Sequence, residues 1–163
     1  MKKSTVLLLA VVYIVSFLII GLLGHSIRNY DPVYYPESIE LSDPDNKTNM
    51  SKDVKDPDTG VHLYDYYFVF LNYSAGMSMR VHAEVKPDNC TYPNVTFTKD
   101  EKSSTNFDIA THTTNANIEE GYCVITLNET TTTGQILSAP FLVTATNPGT
   151  QIKIKACITF VCA

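Results

Sequence analysis

The sequence predicts an all-β protein, two sheets packed as a sandwich, preceded by a single apolar helix at the N-terminus. Three observations carry this expectation. Residues 6–23 form an unbroken uncharged run rich in Leu, Val and Ile, set behind Lys2 and Lys3. Beyond residue 60, apolar side chains recur at every second position, the period of a strand with one buried face. The composition, with 10 Tyr, no Trp and abundant Thr, suits a pleated, half-buried surface. At 163 residues the chain has room for one domain and a targeting segment, and too little for two well-buried cores.

The apolar run comes first. At about 1.5 Å per residue a helix over 6–23 crosses most of a hydrocarbon core of roughly 30 Å. The lysines precede the run and only Arg28 follows it closely, so the positive-inside rule leaves the N-terminus cytoplasmic and everything after residue 26 outside. Gly24-His25-Ser26 offers small residues to a signal peptidase. The apolar region is nonetheless longer than the 7 to 15 residues of a cleaved signal, which favours a retained signal anchor; cleavage would make the product secreted. Residues 1–28 are thus expected to be a cytoplasmic stub and transmembrane helix.

From 29 to 60 the composition turns to Asp, Pro, Asn, Ser and Lys, with Asp-Pro steps at Asp31, Asp43 and Asp56. Proline removes backbone donors and restrains the residue before it. This stretch is expected to be a polar linker, mostly loop, with a first strand over 33–41. The domain proper then spans 61–163. Its clearest strand has Met79, Val81, Ala83 and Val85 alternating with Arg80, His82, Glu84 and Lys86. In the last segment Ile152, Ile154, Ala156, Ile158 and Phe160 share one parity while Lys153 and Lys155 take the other. Further strands are expected over 63–73, 94–99, 106–110, 121–127 and 139–147, separated by turn residues such as Pro87-Asp88-Asn89 and Asn147-Pro148-Gly149. Seven or eight short strands with no amphipathic helix among them bury their apolar faces most naturally as a two-sheet sandwich.

Residues 76–97, GMSMRVHAEVKPDNCTYPNVTF, carry a resemblance. A glycine leads through an alternating strand to Val85-x-Pro87, then Asp88 and Thr91 in a turn, then Val95-Thr96, with Cys90 in place of the usual Ala and Phe97 in place of the usual Trp. The pattern resembles the second and third strands of bacterial immunoglobulin-like domains of group 2, the intimin and invasin type. Residues 37–41 resemble the opening strand of such domains, and 143–146 followed by 147–160 their final hairpin; 100–138 do not fit. The resemblance implies an immunoglobulin-like sandwich in a surface protein and carries over no catalytic residue. Physically, Pro87 ends a strand because it cannot donate to a ladder, Asp88-Asn89 tolerate the reversal, and Phe97 supplies core bulk.

Four cysteines, Cys90, Cys123, Cys157 and Cys162, admit three complete disulfide pairings. Cys157 and Cys162 lie too far apart along one extended strand to be bridged unless the chain bends at Val161. A bridge from Cys123 or Cys90 to the last strand stands against free, buried thiols, since Cys123 shares parity with Ile125 and Leu127. The scattered cysteines lack C-x-x-C spacing, which argues against zinc. Six Asn-x-Ser/Thr triplets begin at Asn46, Asn49, Asn72, Asn89, Asn94 and Asn128; in a eukaryotic or viral exported chain they would mark glycosylated surface.

Catalytic signals are weak. His62, His82 and His112 sit in no metal-ligand spacing, and Asp108, Thr111 and His112 have no nucleophile-elbow pattern around them. The Asp-rich stretches at 43–45 and 56–60 resemble calcium loops only superficially, with Lys47 where an acid is needed, so no EF-hand is expected. Tyr64, Tyr66, Tyr67 and Tyr73 form the strongest candidate contact surface, because tyrosine offers large area with a polar tip; the competing reading is a strand buried among Phe68, Val69, Phe70 and Leu71. With 12 Lys and Arg against 17 Asp and Glu, a formal charge of -5, the chain repels polyphosphate, and nucleic acid is not expected as a partner. The expected function is a membrane-anchored extracellular module for surface interaction or stand-off, meeting a surface protein or cell-wall polymer, with no catalysis, cofactor or metal. The alternative is a type II membrane glycoprotein of viral or eukaryotic origin with an immune-modulating binding domain.

Overall fold

The computed structural model describes residues 3–28, 32–112, 117–146 and 151–163. Among these residues are one α-helix and nine strands, and the chain divides into two compact units, Met1–Val33 and Tyr34–Ala163.

In the first unit, α1 (Lys3–Arg28) runs for 26 residues, about 39 Å at the α-helical rise. No proline interrupts it, and the Ser16 hydroxyl donates to the Val12 carbonyl at 2.9 Å, so the run exposes no unsatisfied polar group there. The window Lys3–Leu22 has a mean hydropathy of 2.8 and none of it is buried. The helix is long and apolar enough to cross a membrane or to serve as a signal sequence.

The second unit contains β1 (Ser38–Ser42), β2 (Thr48–Lys55), β3 (His62–Tyr73), β4 (Ser78–Lys86), β5 (Val95–Lys99), β6 (Phe107–Thr111), β7 (Tyr122–Leu127), β8 (Ile136–Thr146) and β9 (Gln151–Cys162). They form a four-stranded sheet ordered β1-β4-β7-β6 and a five-stranded sheet ordered β2-β3-β9-β8-β5. Neighbours are antiparallel except β3 and β9, which run parallel with Phe68 opposite Ile158 and Phe70 opposite Phe160.

Inner-face residues of both sheets meet in one core. Met79, Val81, Ala83 and Val85 of β4 are buried while Arg80, His82, Glu84 and Lys86 are not, as the period of two requires. Cys123, Ile125 and Leu127 of β7 do the same. Opposite them lie Phe68 and Phe70 of β3, Phe141 of β8 and Phe160 of β9. The Phe160 ring centroid sits 5.9 Å from that of Phe70 and 4.8 Å from that of Tyr73. Each such side chain contributes about 1.5–3 kcal/mol through removal from water.

Two backbone positions fix registers. Asn72 adopts φ 56° where the β3–β9 register shifts between Phe70 and Tyr73. This bulge turns Tyr73 inward one residue later than strict alternation allows, and Asn is among the few side chains that tolerate the conformation. Gly121, at φ 80°, leads into β7, and a Cβ there would come within 3.1 Å of the Ala83 carbonyl oxygen.

The stretch 29–60, expected to be mostly loop, carries two strands, and the compact unit begins at Tyr34 rather than at residue 61. β1 falls in the expected first strand but starts later, at Ser38. β2 was not anticipated: its sequence, TNMSKDVK, lacks alternation because it is an edge strand wet on both faces, held by its ladder to β3. In the last strand the expected single buried parity gives way to burial on both faces, with every residue from Ala156 to Phe160 buried. The turn at 147–149 and the first Asp-Pro step, at Asp31, lie outside the described residues.

Candidate functional site

Burial beyond the core marks the outer face of the five-stranded sheet. Cys157, Thr144 and Thr159 are buried yet lie outside the core cluster. Their covering comes from neighbours on the same face. The Tyr67 hydroxyl lies 2.7 Å from Thr159 Oγ1, which is itself 3.1 Å from Ser138 Oγ. Tyr64 tilts against Tyr67 with ring centroids 5.9 Å apart. The Lys155 ammonium sits 5.1 Å from the Tyr64 ring centroid and pairs with Asp100 at 3.1 Å, while the Lys155 backbone N–H donates to Asp65 Oδ2 at 2.7 Å. The result is a tyrosine–hydroxyl platform whose tips are tied down.

Electrostatics agree with this enclosure. Burial, with the Cys157 thiol beside it, pushes the Tyr64 phenol up to about 12. Burial likewise pushes the Cys157 thiol up to about 11, partly offset by the Tyr64, Thr159 and Ser138 hydroxyls. Both groups are neutral near pH 7. Asp100 is held below the usual carboxylate range by the Lys102 backbone N–H and by Lys155.

Around the platform the face is charge-poor. Residues 136–146 and 156–162 contain no charged side chain. Val69, Thr159 and Ser138 form one cross-strand row, and Tyr67, Cys157 and Pro140 the next. Val161 and Ile136 pair beyond them, with Ile136 66% exposed. At the end of β3, Leu71 is 50% exposed and borders an open depression of about 520 Å³ shared with Lys47, Phe70, Asn72, Gly76 and Met77.

The other sheet presents the opposite character. Arg80, His82, Glu84 and Lys86 project from β4. Arg80 lies 5.0 Å from the Tyr122 ring centroid and the His82 ring stacks on Tyr122 at 4.3 Å. Lys86 reaches Glu84 at 2.8 Å and Asp88 at 2.6 Å, and these two partners raise its pKa.

Of the four tyrosines expected to form one contact surface, the structure divides the set. Tyr64 and Tyr67 are half-buried on the platform, whereas Tyr66 and Tyr73 are core residues, 7% and 1% exposed. Their hydroxyls donate inward, Tyr66 to Ile39 O at 3.4 Å and Tyr73 to Met77 O at 3.1 Å. The bulge at Asn72 explains Tyr73, and strict alternation from Phe68 explains Tyr66.

All four cysteines are free thiols. Cys123 and Cys162 belong to the core, and Cys157, five residues before Cys162 on β9, falls on the opposite face. Cys90 sits in the loop after β4, where its thiol donates to Tyr34 O at 3.5 Å and accepts from Tyr92 N at 3.4 Å.

The acidic loops are closed on themselves. Asp43 accepts from the backbone N–H groups of Asp45 (3.0 Å), Lys47 (2.7 Å) and Thr48 (2.8 Å) and from the Thr48 hydroxyl (2.8 Å). Asp56 accepts from the N–H groups of Asp58 and Thr59, which lower its pKa. Asp108 accepts from Asn128 at 2.6 Å and Lys99 at 3.3 Å, and the His112 Nδ1 meets the Ile118 carbonyl at 2.6 Å. His112 and Glu120 border an opening of about 450 Å³ between β5 and β6. Among the described residues no three His, Cys, Asp or Glu side chains converge as metal ligands. The six triplet asparagines are all exposed.

Sequence reasoning missed Cys157, Thr159, Ser138, Val161 and Ile136 as face residues. The available signal was the absence of charge on both parities of β8 and of the second half of β9, residues 156–162, the mark of strands covered on two sides. Comparison with protein-family models, with curated proteins and with solved structures finds no match for this chain.

Proposed function

We propose that the chain is a membrane-anchored module, its β domain exported, which meets another macromolecule through the outer face of the five-stranded sheet and performs no chemistry of its own. The observation that carries this reading is the contrast between the two outer faces. One alternates charge along β4, as solvated sheets do; the other sets tyrosines and aliphatics on a charge-poor face, and depletion of charge with aromatic enrichment is what distinguishes the centre of protein interfaces. A rigid platform also loses little side-chain entropy on contact.

Strand order supports an immunoglobulin-like architecture. With β2 and β3 set aside, β1-β4-β7-β6 against β5-β8-β9 follows the A-B-E-D and C-F-G arrangement of that sandwich. On this reading residues 76–97, which resemble the second and third strands of group 2 domains, supply strands B and C. The β2–β3 hairpin is then an insertion after the first strand, and it extends the five-stranded sheet beyond β9.

Topology is tested with a membrane-impermeant thiol reagent on intact cells, using Ser104→Cys, exposed in the β5–β6 loop away from the proposed contact face, and Lys3→Cys in a Cys90→Ser background. Ser104→Cys should label before lysis and Lys3→Cys only after it. Labelling of Lys3→Cys in intact cells, or failure to label Ser104→Cys, removes the exported-domain reading.

A further inference from the structure

We propose that the occupant of the charge-poor face is a second copy of this chain, packed sheet to sheet as a two-fold dimer. The proposal rests on the reading that this face is a contact surface.

Size is the first argument. Five strands about 4.8 Å apart, over strands of 11 and 12 residues at the centre, give a footprint on the order of 800 Å², which is what each partner contributes to a standard stable interface.

Charge is the second. Lys2, Lys3 and Arg28 among the 12 cations and Asp31 among the 17 anions precede Tyr34, leaving 9 against 16 and a net -7 on the domain. Two copies therefore repel unless they meet where charge is absent. A strongly cationic partner would be drawn to the acidic surfaces instead, whereas a charge-poor face loses little ionic hydration against its own like. The two cations of β9 on this face, Lys153 and Lys155, lie at one end of it, and Lys155 is paired with Asp100.

Geometry is the third. Two sheets pack face to face with strands within about 30° of parallel. A two-fold axis along the strands places both chain entries at the same end, as two chains rooted in one membrane require, and confinement to that plane raises the effective concentration. The β2 edge of the sheet is less suited to association. β2 carries Lys52 and Lys55, and Asp53 at φ 50° adjoins its register break, devices that block strand addition.

The test uses the full-length chain in its membrane. A photoreactive cross-linking side chain is placed at Ile136 on the face, or at Val124 on the charged sheet as the comparison. Ile136 should yield a covalent dimer, at least tenfold above Val124. Ser138→Glu, which sets a charge at an exposed position of the face, should cut that yield about tenfold while the domain stays folded by circular dichroism. A cross-link from Ile136 only to a different protein overturns the second-copy proposal and leaves the contact surface standing. No adduct from Ile136 at all overturns both. Equal dimer yields from Ile136 and Val124 show collision rather than an interface and overturn the dimer.

Discussion

Removing the Asp43 carboxylate tests how the β1–β2 connection is held. One oxygen, Oδ2, accepts from the N–H groups of Lys47 and Thr48 and from the Thr48 hydroxyl, and the other from the N–H of Asp45. Hydrogen bonds to an ionised acceptor contribute about 1.5–3 kcal/mol each. Water can replace the exposed bond at Lys47, so Asp43→Ala should lose roughly 2–3 kcal/mol rather than the sum. For the 130 residues from Tyr34 to Ala163, an unfolding entropy of about 0.27 kcal/mol/K converts this to a fall of roughly 7 to 11 °C in Tm. Asp43→Asn is the sharper variant: its amide oxygen can take the place of Oδ2, but the NH2 group then faces the Asp45 N–H and the charge is gone, so it should lose about 1–2 kcal/mol. The assay is circular dichroism of the detergent-solubilised chain during heating, with and without calcium. If Asp43→Asn melts within about 2 °C of the parent, or if calcium raises the melting temperature of the parent and not of Asp43→Ala, the carboxylate is not a turn clasp and the reasoning fails.

Phe160→Ala, at the centre of the core against Phe70 and Tyr73, should cost about 3–5 kcal/mol; a loss below about 1 kcal/mol in urea titration would mean that the β3–β9 pairing is not where the core sits. Stability should also fall on the alkaline side. Below pH 9 the Cys157 thiol is neutral whether folded or unfolded; between its ordinary 9.0 and about 11 the unfolded chain ionises while the folded one does not, a loss growing to about 2–3 kcal/mol. Cys157→Ala should flatten that slope in urea melts across the window, and parallel curves for the two proteins would refute the assignment.

Where side chains alternate against one wet face, the residues themselves announce the fold. Met79 to Val85 and Cys123 to Leu127 lie as their period of two requires. β2 was illegible because an edge strand is fixed by backbone bonds, which any polar sequence can make; nothing in TNMSKDVK distinguishes it from linker. The tyrosine cluster was half legible. Tyr66 and Tyr67 are neighbours pointing to opposite faces, which the period gives. Tyr73 depends on one left-handed residue at Asn72, and an Asn before a Tyr is no signal for that by itself. The platform required knowing that β9 has strands on both sides, a fact of pairing between residues some 90 positions apart.

That separation has a consequence for how the molecule comes to be. Until β9 arrives, the β2–β3 hairpin is an open template, its Phe68 and Phe70 uncovered and one row of its amides idle. Closing a loop of about 90 residues before the sheet repays the entropy is slow. Newly made chains should therefore linger as an aggregation-prone species, and their yield should hinge on whatever shields that hairpin while it waits.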